Sequence, residues 1–154
     1  MPDDKWKDQL RTYFEHLRII EKCKHDTLEH FAQFVEFIAE PAAEVLHDEL
    51  KPHGIRVGFR TEKGSSVTFD FSFPRSKETN FSYTVLLPKN SVELKLNRKT
   101  VGRRSPRSLT SEEFGPFFEG LSSIELMKLT KEKLLEDIIA RYRDFRFRSL
   151  TMPD

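Results

Sequence analysis

One cysteine, Cys23, is present, so no internal disulfide can staple the chain, and this usage fits a reducing compartment. No apolar run approaches the ~20 residues that a membrane-spanning helix needs. Residues 1–7 are polar where a signal peptide would turn apolar. The expectation is a cytoplasmic protein with no membrane partner. In that setting the sequon-like triplet Asn80-Phe81-Ser82 carries no glycan and reads better as part of a strand. Glycine is scarce, at 6 residues. None falls in a G-x-G-x-x-G or Walker A pattern, and G-x-S-x-G and H-E-x-x-H are missing as well. These gaps remove the commonest dinucleotide, phosphate-loop, serine-hydrolase and zinc-protease chemistries, and no cofactor is expected. Lys63-Gly64-Ser65-Ser66 lacks the upstream glycine of a phosphate loop and lies where a hairpin turn is needed.

What the chain has in quantity is phenylalanine, 14 in 154 residues. Phe fills volume with no polar tip to satisfy, so most should be core, and any surplus should mark an interface. The net charge of +1 conceals an uneven distribution. Residues 51–108 hold 13 Lys/Arg against 4 Asp/Glu, whereas residues 1–50 hold 6 against 12.

From Trp6 the apolar positions run Trp6, Leu10, Tyr13, Phe14, Leu17, Ile20, the three-four spacing of an amphipathic helix. The stripe lapses at residues 22–25 and resumes at Leu28, Phe31, Phe34, Val35 and Ile38. Asp26 with Glu29 has the form of a capping box, which predicts two helices meeting near Lys24, with one long bent helix as the alternative. Pro41 should kink or restart the helix, and Pro52-His53-Gly54 should end it. The period then changes to two. Four amphipathic strands are predicted, near 55–60, 67–73, 81–87 and 92–97, joined by connectors too short for crossover helices. An antiparallel meander in the order 1-2-3-4 follows, its Phe-rich face covered by the flanking helices. Thr110 with Glu113 predicts a short helix, residues 122–128 read as a helical turn or a fifth edge strand, and Thr130 starts a last helix reaching about residue 147. The whole is read as one α+β domain over 1–154: helical 4–51, β-meander 55–98, basic loop 98–108, helical 111–147. Expected core residues are Leu17, Phe31, Phe34, Ile38, Leu46, Val57, Phe59, Phe69, Phe71, Phe81, Tyr83, Val85, Leu94, Leu134 and Ile138.

Metal and nucleophile chemistry find little footing. His16, Cys23 and His30 stand seven apart, ~10.5 Å per step on one helix, too far to share a zinc ion. Glu21, His25 and Glu29 are better spaced but read as a charged solvated face, and His47 and His53 have no partner pattern. Cys23 lies where a helix dipole opposes a thiolate. Asp70, an acid inside a Phe-rich strand, is expected on the polar face, solvated or paired with Arg56 or Arg60.

The densest chemistry is cationic. Lys95, Arg98, Lys99, Arg103, Arg104 and Arg107 occupy 13 residues with no acid between Glu93 and Glu112. Arg141, Arg143, Arg146 and Arg148 interleave with Tyr142, Phe145 and Phe147, which supplies both cations and stacking faces. Together they form a candidate polyanion-binding set, set against the plainer reading of a solvated loop and a helix end rich in arginine. The chain has neither an aromatic RNP-type strand motif nor a lysine-rich helix start, so its element order does not make it a small RNA-binding domain.

Three functions remain open to the sequence. The first is a non-catalytic interaction module, homo-oligomeric or a subunit of a larger assembly, with a protein partner. The second is a nucleic-acid or polyanion binder using the cations of residues 95–107. The third is a small enzyme with a carboxylate and histidine site that no motif announces.

Overall fold

The computed structural model describes residues 4–151. Its first element is one unbroken helix, α1 (Lys5–Phe34), 30 residues and so about 45 Å long. The two-helix expectation is therefore corrected. Lys22, Cys23, Lys24 and His25 interrupt the apolar stripe, but none of them breaks a helix, and the Asp26/Glu29 pair is not used as a cap. A π-helical turn (Val35–Ala39) follows, and α2 (Glu40–Leu50) continues from it with Pro41 in its first turn. The wider turn takes up the backbone where Pro41 offers no N–H to the ladder. A short 3₁₀ turn (Lys51–His53) leads to Gly54, whose φ of 75° closes the helical region in the left-handed conformation expected of Pro52-His53-Gly54.

The sheet has five antiparallel strands in sequence order: β1 (Arg56–Glu62), β2 (Ser66–Ser72), β3 (Phe81–Leu86), β4 (Asn97–Gly102) and β5 (Ser111–Pro116). The meander is as predicted, with two shifts. Residues 92–96 are not a strand; Leu94 and Leu96 are buried from an irregular stretch. The fourth strand is instead built from the first part of the supposed basic loop. The Thr110/Glu113 pair opens no helix, because residues 111–116 are extended as an edge strand. Residues 122–128 resolve to α3 (Ser123–Met127), where the Ser122 hydroxyl accepts from the Glu125 N–H. Thr130 caps α4 (Lys131–Thr151), accepting from the Lys133 N–H at 3.2 Å, and the helix runs past the expected end at 147.

One face of the sheet carries Phe69, Phe71, Phe81, Tyr83 and Val85, all buried against α2, the π turn and α4. Tyr142 of α4 stacks on Phe71 with centroids 4.9 Å apart, and Phe145 stacks on Phe81 and Phe73. Most expected core residues are buried; Leu17, Ile38, Val57 and Phe59 are half-buried. On the opposite face Asp70 is held by Arg60, Nε to Oδ2 at 2.5 Å, and by the Ser82 hydroxyl at 2.7 Å. Asn80 is buried and saturated. Its Oδ1 accepts from the Phe73 N–H, and its Nδ2 donates to the carbonyls of Arg103 and Arg104.

Candidate functional site

The apolar stripe of α1 is divided by the fold. Trp6, Leu10, Tyr13, Leu17, Ile20, Lys24, Thr27, Phe31 and Phe34 alternate steps of four and three, so on one continuous helix they form a single seam. From Lys24 onward the body of the protein covers it. The Lys24 ammonium reaches Asn90 Oδ1 at 3.5 Å, Thr27, Phe31 and Phe34 are buried, and Phe34 meets Phe117 edge-on at 5.9 Å. N-terminal to Lys24 the seam is largely uncovered, with only Leu17 of its residues there half-buried. Trp6 is 58% exposed, Tyr13 57%, and Leu10, Phe14 and Ile20 are exposed too. The ion pairs of this stretch, Lys7 with the N-cap Asp4 and Arg11 with Asp8, are local to it. Helices in proteins owe most of their stability to packing an apolar face, and an apolar stripe left open along this one is a surface that association would cover.

The ten candidate cations are dispersed by the fold. Lys95 pairs with Glu93 at 3.0 Å, and its hydrogen bond holds the Glu93 carboxyl below the ordinary value. Lys99 bonds Glu112 at 2.8 Å on the neighbouring strand. Arg98 points to the inner face and meets Asp137 at 3.4 Å. Arg103 folds back over its own loop, donating to the carbonyls of Ser105, Ser108 and Pro106. Arg104 donates to the Ser149 carbonyl at 2.8 Å, tying the loop to α4. Arg141 lies between Asp137 at 3.7 Å and Glu113 at 3.9 Å, and Arg148 also reaches Glu113 at 3.9 Å. Arg146 stacks over the Phe73 ring, 4.0 Å from its centroid. Arg107 and Arg143 are exposed and make no ion pair or hydrogen bond among the described residues.

A buried polar network joins the sheet to α4. The Tyr83 hydroxyl, fully buried, donates to Asp137 Oδ2, which also receives Arg98. Burial first, and then the negative charge of Asp137, push the Tyr83 hydroxyl well above the ordinary tyrosine value. Beside this network the inner face of β4 and β5 turns small and polar, with Thr100, Gly102, Ser111 and Glu113. A cleft of about 250 Å³ opens there against Arg141, Asp144 and Arg148. Its charges are of mixed sign, and Glu113 is shared by both arginines. No group of three or more His, Cys, Asp or Glu side chains able to hold a metal ion occurs among the described residues. His25 pairs with Glu29 at 3.1 Å on the solvated face of α1, and His47 with its neighbour Asp48.

No protein-family model, curated protein or solved structure matches this chain. No helix among the described residues is long and apolar enough to cross a membrane.

In the sequence the stripe of α1 is visible as two apolar runs broken at residues 22–25; that they share one helix, and where covering stops, appear only in the fold. Sequence reasoning missed the acids that answer the cations: Glu112 and Glu113 read as part of a helix start, and Asp137 as one more acid on a terminal helix.

Proposed function

We propose that this protein is a non-catalytic interaction module that works as a homo-oligomer or as a subunit of a larger assembly. The observation that carries this reading is the seam of α1, continuous from Trp6 to Phe34 and largely uncovered before Lys24. Covering about six large apolar side chains gives a favourable association term that a solvated helix lacks. The test is light scattering at rising concentration on the wild type and on a Leu10→Asp/Leu17→Asp variant. The wild type should gain mass with concentration and the variant should stay monomeric with unchanged helicity. A wild type that is monomeric throughout and captures no partner would sink the reading.

A second reading, polyanion binding, draws on Arg107 and Arg143, exposed and without ion pairs among the described residues, together with Lys95 and Lys99, whose pairs are solvated. Solvated pairs are worth ~0 to 1 kcal/mol, so phosphates could compete for those lysines. Arg103 and Arg104 support this reading less, because both are engaged in holding the loop.

A further inference from the structure

We propose that the free half of α1 pairs with the same segment of a second copy as an antiparallel two-helix coil, with Leu10 of one chain opposite Ile20 of the other. The proposal rests on the self-association reading above and adds to it the partner, the orientation and the register.

The seam repeats every 3.5 residues, the period at which two helices keep their apolar edges together while they supercoil. Two orientations are open to identical helices, and three features separate them. In a parallel pair Lys24 falls on the seam opposite Lys24, which sets two like charges at one layer. A parallel pair also brings both sheets to the same end of the coil, where each already covers its own Phe31 and Phe34. The antiparallel pair avoids both. It sends the two sheets to opposite ends and places Trp6 of one copy over Lys24 of the other, a cation against an indole face. Between those ends the layers read Leu10 with Ile20, Tyr13 with Leu17, and then the same pairs in reverse, as a two-fold axis requires.

The flanking positions agree. In this register Lys7 of each copy faces Glu21 of the other, so two opposite-charge pairs close the interface at its ends. Phe14, 50% exposed in the single chain, meets Phe14 of the second copy at the axis. Covering the half-exposed Trp6, Tyr13 and Phe14 together with Leu10, Leu17 and Ile20 removes roughly 500 Å² per chain, about 1,000 Å² for the pair. That is the lower edge of what a specific interface buries, so the dimer should be reversible.

Two single-cysteine chains in a Cys23→Ser background test this, Leu10→Cys and Ile20→Cys, oxidised separately and as a mixture. In the antiparallel register like positions stand about 15 Å apart along the axis, beyond disulfide reach, while residues 10 and 20 of different copies face each other. Only the mixture should give a disulfide-linked dimer, containing one chain of each kind. Linked dimers from each chain alone would overturn the proposal in favour of parallel pairing and leave self-association standing. Dimer mass by sedimentation with no disulfide in any sample would place the contact on another surface, again overturning only this proposal. A wild type that stays monomeric up to about 300 µM, far above the concentrations at which a weak specific dimer forms, would overturn both.

Discussion

The ring of Phe145 lies so close over Gly102 that a Cβ at that position would sit 2.3 Å from its Cε2. Gly102 pairs with Phe81 on β3, so the absence of a side chain there is what lets α4 descend onto the sheet and Phe145 stack on Phe81. Gly102→Ala should therefore destabilise the fold by about 1 to 3 kcal/mol, the usual cost of overpacking. Phe145→Leu should cost stability alone but relieve part of the penalty when the two are combined. Urea melts of the two singles and the double variant decide it. Strictly additive effects would mean that the ring and the glycine do not constrain each other.

The two buried tyrosines of the core should respond oppositely to losing their hydroxyls. Tyr83 donates to Asp137, so Tyr83→Phe removes a charge-assisted bond and should cost about 1 to 3 kcal/mol. The Tyr142 hydroxyl is buried with no hydrogen-bond partner among the described residues, while its ring stacks on Phe71. Tyr142→Phe keeps the stack and should leave the melting temperature unchanged or raise it. Equal losses in both variants would show that Tyr142 has a partner after all.

High pH should weaken the fold through the same pair. Burial raises both hydroxyls above the ordinary tyrosine value, Tyr83 with the added repulsion of Asp137, while Arg146 partly offsets the shift at Tyr142. Below the unfolded tyrosine value of about 10 their contribution is complete. Above it the unfolded chain releases its protons first, and stability falls until the folded values are passed. Tyr83 alone should account for about 1.4 kcal/mol per pH unit in that window. Denaturant midpoints at pH 8, 10 and 11 should fall for the wild type and fall less for Tyr83→Phe/Tyr142→Phe. A parallel decline in the double variant would assign the alkaline loss elsewhere.

These sites also show what the sequence could convey. β1, β2 and β3 alternate apolar and polar residues because both α2 and α4 press apolar side chains onto their inner face, so their period is visible. β4 turns Arg98, Thr100 and Gly102 to that face, because its neighbour there is the Asp137 carboxylate, the cleft and the Phe145 ring. Inward residues chosen for a buried ion pair and a close approach carry no hydrophobic period, and the strand reads as a basic loop. Residues 92–96 alternate convincingly yet form no strand: Leu94 and Leu96 turn inward from an irregular stretch, and the Leu96 carbonyl accepts the Phe117 N–H at 3.0 Å. The α1 stripe is legible from Trp6 to Ile20; its continuation through Lys24 and Thr27 is not, because neither residue is apolar, and nor is the place where the protein ceases to cover it, which depends on where the 88–91 turn meets Lys24.

Polyanion binding through the basic residues should depend on Arg107 and Arg143 together with Lys95 and Lys99 rather than on Arg103. Each phosphate neutralised contributes ~0.7 to 0.9 to the slope of log affinity against log salt. Arg107→Ala/Arg143→Ala should lower that slope by up to about 2 with the fold intact. Oligonucleotide titrations between low and physiological salt measure it. No wild-type binding at low salt, or a slope the variant leaves unchanged, removes this reading.

The unmodified protein can report its own association, because its single tryptophan, Trp6, sits at the free end of the seam. Its emission should move to shorter wavelength as the protein is diluted less, from about 1 µM to about 300 µM, with the same midpoint as the rise in mass by sedimentation. Leu17→Asp should abolish both changes together. Emission that stays at the solvent-exposed wavelength across the whole range, whatever the mass does, would contradict the claim that the α1 seam is where this protein associates.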